Sequence, residues 1–257
     1  MFRPVSVDLK SAKELSLMRE AGAALAEVMG ALIARVAPGV STGELDSLAE
    51  AELRARKAKP AFLGYRGFPA ALCASVNQEV VHGIPRAGRM LQEGDLVSLD
   101  IGCFLRGFYS DTATTVPVGR VSREAGLLLE ITREALYKGI EQMRSDRRVG
   151  DISAAIQGYV ERSGFSVVRE FVGHGIGRAL HEDPPVPNFG KAGTGVRLRP
   201  GMVLALEPMV NAGAPEVRVL GDQWTAVTCD GRLSAHFEHT VAVTEGDPEV
   251  LTAGRSD

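Results

Sequence analysis

Cysteine is scarce in this chain: Cys73, Cys103 and Cys229 are the only three in 257 residues, they lie far apart, and they form no CxxC pair. An odd, unpaired set excludes a disulfide framework and a thiolate zinc site, so any metal must be held by oxygen and nitrogen. No stretch reaches the roughly 18 uninterrupted apolar residues of a membrane span. The opening MFRPVSVDLKSAKE carries Asp8 where a signal peptide would have its apolar core, so we expect a cytoplasmic protein without membrane partners. A dominant charge is also missing: 29 Lys+Arg against 32 Asp+Glu leave a net charge of −3, which argues against a specific nucleic-acid binder and against a disordered acidic tail. Two familiar motifs are absent as well. The segment GHGIG at 173–177 lacks both GxGxxG spacing and a following Gly-Lys pair, and His181-Glu182-Asp183-Pro184 breaks the helix that an HEXXH zinc motif requires.

What the sequence does contain is apolar periodicity, with 45% hydrophobic residues and a length that suits one domain or two. Leu15, Met18, Leu25, Val28, Met29, Leu32 and Val36 recur at helical spacing behind a capping box, Ser11 with Glu14, and Pro38-Gly39 stops the run. Ser41 and Glu44 open a second helix in the same way, with Pro60 closing it. A second pair follows, one helix through Leu127, Leu128, Ile131, Ala135, Leu136 and Ile140, the other carrying Ile152, Ile156 and Val160. Alternating, β-branched segments predict strands at 95–101, 109–116, 203–210, 216–220, 224–228 and 236–243, with Gly/Pro-rich connections at 60–70, 83–94 and 183–201. The expectation is an α+β fold, one catalytic unit over 1–257 built by internal duplication of halves at roughly 11–120 and 121–245.

The candidate chemistry lies in acids that the strand pattern isolates. Asp100 in DLVSLDIG and Asp111 in YSDTATTV are separated by ten residues, enough for two antiparallel strands and their connection, so the two carboxylates would approach each other. Glu207 in VLALEPMV and Glu238 in HFEHTVAV sit in apolar strands with no neighbouring Lys or Arg. Carboxylates placed this way repel unless a cation neutralises them, and hard divalent ions held by carboxylate and imidazole do so economically. His174, flanked by glycines that let the backbone bend, supplies the imidazole, and His181 would enter the same cavity. Four carboxylates and one imidazole suffice for two ions if carboxylates bridge, and two ions sharing a water favour hydrolysis over redox chemistry.

These segments resemble the type I methionine aminopeptidases of the pita-bread fold, in the minimal bacterial form. The likeness runs in order through SVNQEVVHGIP, LVSLDIGCFLRGFYSDTATTVPVG, FVGHGIGRALHEDPPVPNFG, GMVLALEPMV and SAHFEHTVAVT. It implies two pseudo-symmetric halves, each with paired helices on a curved antiparallel sheet, and a di-metal site between them. It implies Asp100, Asp111, His174, Glu207 and Glu238 as ligands of two divalent ions (Fe, Mn or Co), with Asp111 and Glu238 bridging and His174 on the same ion as Glu207. His82 and His181 would hydrogen-bond the scissile amide and the developing oxyanion, and Glu207 would move protons between water and leaving amine. Tyr65, Phe68, Cys73, Leu180 and Trp224, with His82 and His181 at the edge, would form the methionine pocket, apolar and aromatic as a thioether prefers.

Two departures from the family pattern are Arg66, where many bacterial members have histidine, and Leu180, where an aromatic is common. The implied activity is hydrolytic removal of N-terminal methionine from peptides and nascent chains with a small second residue, by a monomer. A transient ribosome contact would run through the basic run Arg54, Arg56, Lys57 and Lys59. Two rivals share the fold. Xaa-Pro aminopeptidases and proline dipeptidases usually carry an extra N-terminal domain, for which the 81 residues before His82 leave no room. Non-catalytic binding proteins on this scaffold have lost metal ligands. The chain begins Met1-Phe2, so the size rule would leave its own methionine in place.

Overall fold

The computed structural model describes residues 7–254; Met1 and Phe2 lie outside the described residues. Helix α1 spans Ala12–Arg35 and α2 spans Thr42–Ala55, and each starts at the expected reciprocal capping box. Ser11 Oγ accepts the Glu14 N–H while Glu14 Oε2 accepts the Ser11 N–H at 2.7 Å, and Ser41 with Glu44 repeats the arrangement, so two otherwise orphaned donors are satisfied at each start. Helix α2 ends ahead of Pro60, at Ala55, where the chain turns through Lys57 at φ +60°.

The strands that frame the site are β1 (Leu72–Val76), β2 (Leu96–Leu105), β3 (Phe108–Pro117), β4 (Gly173–Gly175), β5 (Val203–Leu206) and β6 (Glu238–Ala242). Between β3 and β4 lie helices α3 (Arg123–Ile140) and α4 (Val149–Arg162). All six strands belong to one nine-stranded antiparallel sheet, in the order Lys59–Pro60, β2, β3, β6, β5, β4, Glu182–Val186, with β1 also on β2 and Glu249–Val250 on β6. The apolar stripes of α1 and α2 bury Leu25, Leu32 and Leu53 against Leu72, Leu99 and Ile101. Those of α3 and α4 bury Leu128, Ile152 and Ile156 against Leu204, Leu206 and Val210. One helix pair therefore backs the first strands and the other backs the later ones, which is the expected α+β layering.

The hairpin between β2 and β3 turns in two residues, Arg106 at φ +50° and Gly107 at φ +92°, a left-handed pair that matches the twist of the strands it joins. Elsewhere the strands are shorter than the alternation suggests. The run expected at 203–210 breaks after Leu206, because Pro208 has no N–H for the ladder and restricts the residue before it. Met209–Asn211 then pairs with Ser234–His236 and Ser166–Val167 in a separate three-stranded sheet. The run at 236–243 divides likewise at Phe237, whose N–H reaches Pro208 O at 3.3 Å, so the two chains cross between sheets side by side. Val217–Val219 and Ala226–Thr228 shrink to three residues each and pair together beside Glu79–Val81. A strand at Glu182–Val186, hidden by its two prolines, occupies part of the connection at 183–201. Among the described residues no helix is long and apolar enough to cross a membrane.

Candidate active site

Register does most of the positioning. Asp100 on β2 lies opposite Ala113 on β3, and Asp111 on β3 lies opposite Gly102 on β2, which puts both carboxylates on one face as diagonal neighbours. Gly102 is required there: a Cβ would come within 2.8 Å of the Phe62 ring and 2.9 Å of Ala61 Cβ, and press on Asp111. Glu238 on β6 pairs with the other side of Ala113, so a row runs Asp100, Ala113, Glu238 across three strands with only a methyl group between the acids. His174 on β4 lies opposite Ala205 on β5, and Ala205 is paired with Thr240 on β6, two residues beyond Glu238. Glu207 stands where the chain leaves β5 for the smaller sheet, its Oε1 3.6 Å from His174 Nε2.

One ligand atom each from Asp111, His174 and Glu238 lie within 4.8 Å of one another. His174 Nδ1 sits 2.9 Å from Gly175 O; a carbonyl only accepts, so Nδ1 carries the proton and Nε2 presents its lone pair to the acids. Asp100 Oδ1 and Glu238 Oε1 are buried without a hydrogen-bond partner, and among the described residues no Lys or Arg pairs with any of the four carboxylates. Burial pushes Asp100 up to about 7, and burial plus the neighbouring acids hold Asp111, Glu207 and Glu238 well above the usual carboxylate range. Orphaned carboxylate oxygens beside an oriented imidazole are a donor set of hard oxygen and nitrogen, and they fit divalent cations.

That electrostatic conflict has a measurable consequence. Acids whose folded pKa is raised keep protons that the unfolded chain has already released, so stability falls as pH rises from the ordinary carboxylate range near 4 through about 7. Chelator-treated protein is expected to melt at a lower temperature at pH 8 than at pH 5. Mn²⁺ or Co²⁺ should raise the melting temperature more at pH 8, because cations then replace no protons. A melting temperature independent of pH, with equal metal shifts at both values, would contradict this picture.

The acids form the floor of a cavity of about 160 Å³, and the same cavity is lined by every other residue singled out from sequence: Tyr65, Phe68, Cys73, His82, Leu180, His181 and Trp224. Phe68 meets the edge of Trp224 at 5.1 Å, His82 stands edge-on to Phe171 at 5.4 Å, and the Tyr65 hydroxyl lies 2.9 Å from His181 Nδ1. Burial and a neighbouring imidazole lower His82 and His174 to about 4, and burial and Arg66 lower His181, so all three are neutral at pH 7. Phe62, which the sequence reading passed over, and Arg66, noted there as a departure that bears on the residues after methionine, also line the cavity. His236 is a further omission. It is buried, neither ring nitrogen has a partner, and Nε2 lies 3.9 Å from Glu207 Oε2. The signal for it was its i, i+2 spacing to Glu238. A larger groove of about 680 Å³, on the opposite sheet face near Thr112 and His239, holds none of the four carboxylates.

Comparison with known proteins agrees with this chemistry. Residues 16–245 match the model of metallopeptidase family M24. A protein of Clostridium perfringens named methionine aminopeptidase is 54% identical over 244 residues, covering 95% of this chain and 98% of its own. The crystal structure of a methionine aminopeptidase from Thermotoga maritima superposes with a TM-score of 0.95 at 45% identity, covering 96% of this chain and 99% of that one. The prolidase of Pyrococcus horikoshii, at 22% identity and a TM-score of 0.78, shares the fold alone, and this chain spans 64% of its length.

Proposed function

This chain belongs to metallopeptidase family M24, and from that membership and its site we propose a metal-dependent aminopeptidase that hydrolyses N-terminal methionine from peptides and nascent chains with a small second residue. The observation that carries the reading is the cluster of buried carboxylates, two of them with an orphaned oxygen, beside one oriented imidazole at the floor of a small, aromatic-walled cavity. Asp100, Asp111, His174, Glu207 and Glu238 would hold two divalent cations (Fe, Mn or Co), with Asp111 and Glu238 central enough to be shared. When bound, such a pair supplies Lewis acidity, offsetting the carboxylate charge and bringing the pKa of water toward neutrality.

The remaining steps belong to the chain's own side chains. His82 and His181, neutral at pH 7, donate hydrogen bonds to the scissile amide and to the oxygen that gains charge as the carbonyl is attacked. The Tyr65 hydroxyl at His181 Nδ1 fixes the ring so that its other nitrogen faces the cavity. Glu207, at the cavity floor, takes a proton from the attacking water and returns it to the leaving amine. Tyr65, Phe68, Cys73, Leu180 and Trp224 enclose the methionine side chain and exclude water.

The cavity is smaller than the roughly 300 Å³ at which drug-sized ligand sites begin, so it takes one side chain, and a bulky second residue has to stay outside. A Phe or Leu there displaces the scissile carbonyl, and a shift of about 1 Å costs on the order of 10²-fold in rate. Met-Ala and Met-Gly peptides are therefore expected to be cleaved about 10²-fold faster than Met-Phe, and Ala-Pro peptides not at all. Equal turnover of Met-Ala and Met-Phe would refute the size rule, and preferential cleavage of Ala-Pro would transfer the chain to the proline-specific branch.

The same reading makes the protein a cytoplasmic monomer, one catalytic unit with duplicated halves. Any transient ribosome contact would rest mainly on Lys57 and Lys59, since Arg56 is paired with Glu27 and Glu52 and Arg54 with Glu50.

A further inference from the structure

The charged groups that line the 160 Å³ cavity are four carboxylates and one guanidinium, that of Arg66. Cations held by the four carboxylates would offset their charge, and Arg66 stands with its guanidinium at the exposed mouth. Its backbone is held in the left-handed region, φ +50°, between Gly64 at φ +81° and Gly67 at φ +91°. Its guanidinium lies 5.4 Å from the centre of the Tyr65 ring, which in turn is anchored to His181. The side chain is exposed, and among the described residues no carboxylate pairs with it.

An arginine stacked on a ring and left without a counter-ion is arranged to receive a carboxylate from outside. With methionine in the interior, the peptide must leave through the exposed rim formed by Arg66 and His181. The cavity takes one side chain and the small residue after it stays at the opening, so the next two residues of an extended peptide are the first to lie wholly outside, beside that rim. We propose that Arg66 forms a subsite for acidic side chains at those two positions. This rests on the methionine reading and adds to it a charge preference downstream of the small second residue.

The test compares Met-Ala-Asp-Asp, Met-Ala-Ser-Ser and Met-Ala-Lys-Lys peptides at matched metal loading. The order of kcat/KM is expected to be acidic, neutral, basic, with about two- to fivefold per step, the range of an exposed ion pair. The difference should appear in KM, because the contact is the same in ground and transition states. It should collapse near 1 M salt, where the Debye length is about 3 Å. Arg66→Gln should flatten the order within its own peptide set, and Arg66→Glu should reverse it. Such a reversal is something a merely structural role would not produce. A wild-type enzyme that cleaves the neutral peptide with no charge order, or an unchanged order in Arg66→Glu, overturns the subsite and leaves the methionine reading standing. No cleavage of the neutral peptide overturns that reading and the subsite with it.

Discussion

Replacing Asp111 with alanine or asparagine is expected to abolish turnover of Met-Ala peptides and to lower the bound metal per chain, while leaving the fold intact. The reason lies in where the carboxylate sits. Asp111 projects from β3 between Asp100 on β2 and the β6 strand, and it shares the compact ligand-atom cluster with His174 and Glu238. A residue central to the donor set cannot be lost without loosening every cation there. The backbone around it is held independently: Asp111 N–H donates to Thr240 Oγ1 at 3.0 Å, and Thr240 Oγ1 donates to Asp111 O at 2.8 Å. Removing one of four crowded carboxylates with which no Lys or Arg pairs among the described residues also relieves repulsion. The chelator-treated Asp111→Asn protein should therefore melt at a higher temperature than chelator-treated wild type at pH 8. Elemental analysis and thermal melting check both statements. Full activity with wild-type metal content would sink the assignment of Asp111 as a shared ligand.

The second large effect concerns two imidazoles proposed to act without holding a cation. His82→Ala and His181→Ala are expected to keep wild-type metal content and to lose on the order of 10²-fold or more in kcat, about 3 kcal/mol of transition-state stabilisation. Both imidazoles line the same cavity as the acids, His82 edge-on to Phe171 and His181 held by the Tyr65 hydroxyl. Their lowered pKa values keep them neutral at pH 7, the form that the proposed role as hydrogen-bond donors requires. Tyr65→Phe should reproduce a part of the His181 loss, because it removes the hydroxyl at Nδ1 and leaves the ring packing. Metal loss in the His181 variant, or kcat within a factor of about two of wild type in both, would show that these residues play some other part.

The four helices were legible from their stripes at helical period, the first two also from their start signals; the structure places side-chain caps at Ser11, Ser41 and Ser122, while α4 opens at Arg148 without one. Strand lengths were less legible. Pro208 and Phe237 divide two segments whose alternation reads as continuous: proline withholds a ladder N–H at the first break, and Phe237, whose N–H reaches Pro208 O, follows it from the neighbouring segment. The strand at Glu182–Val186 was masked because Pro184 and Pro185 read as loop, yet a sheet edge tolerates missing donors.

The sequence by itself determined the chemistry on offer: carboxylates in apolar strands without basic neighbours, an imidazole between glycines, and too few cysteines for sulfur ligation. Alternation with period two fixed which neighbours each acid shares a face with inside its own strand, because side-chain direction along a strand is a local property. Only the tertiary structure decided who meets whom. Pairing of β2, β3 and β6 sets two acids on either side of Ala113, and pairing of β4 with β5 brings His174 to Glu207, residues 33 positions apart. His236 and Arg66 acquire their meaning in the same way, one from a partnerless burial beside Glu207, the other from standing without a counter-ion at the mouth of the cavity. Burial and pairing are sums over segments distant in the chain, so no window of the sequence contains them.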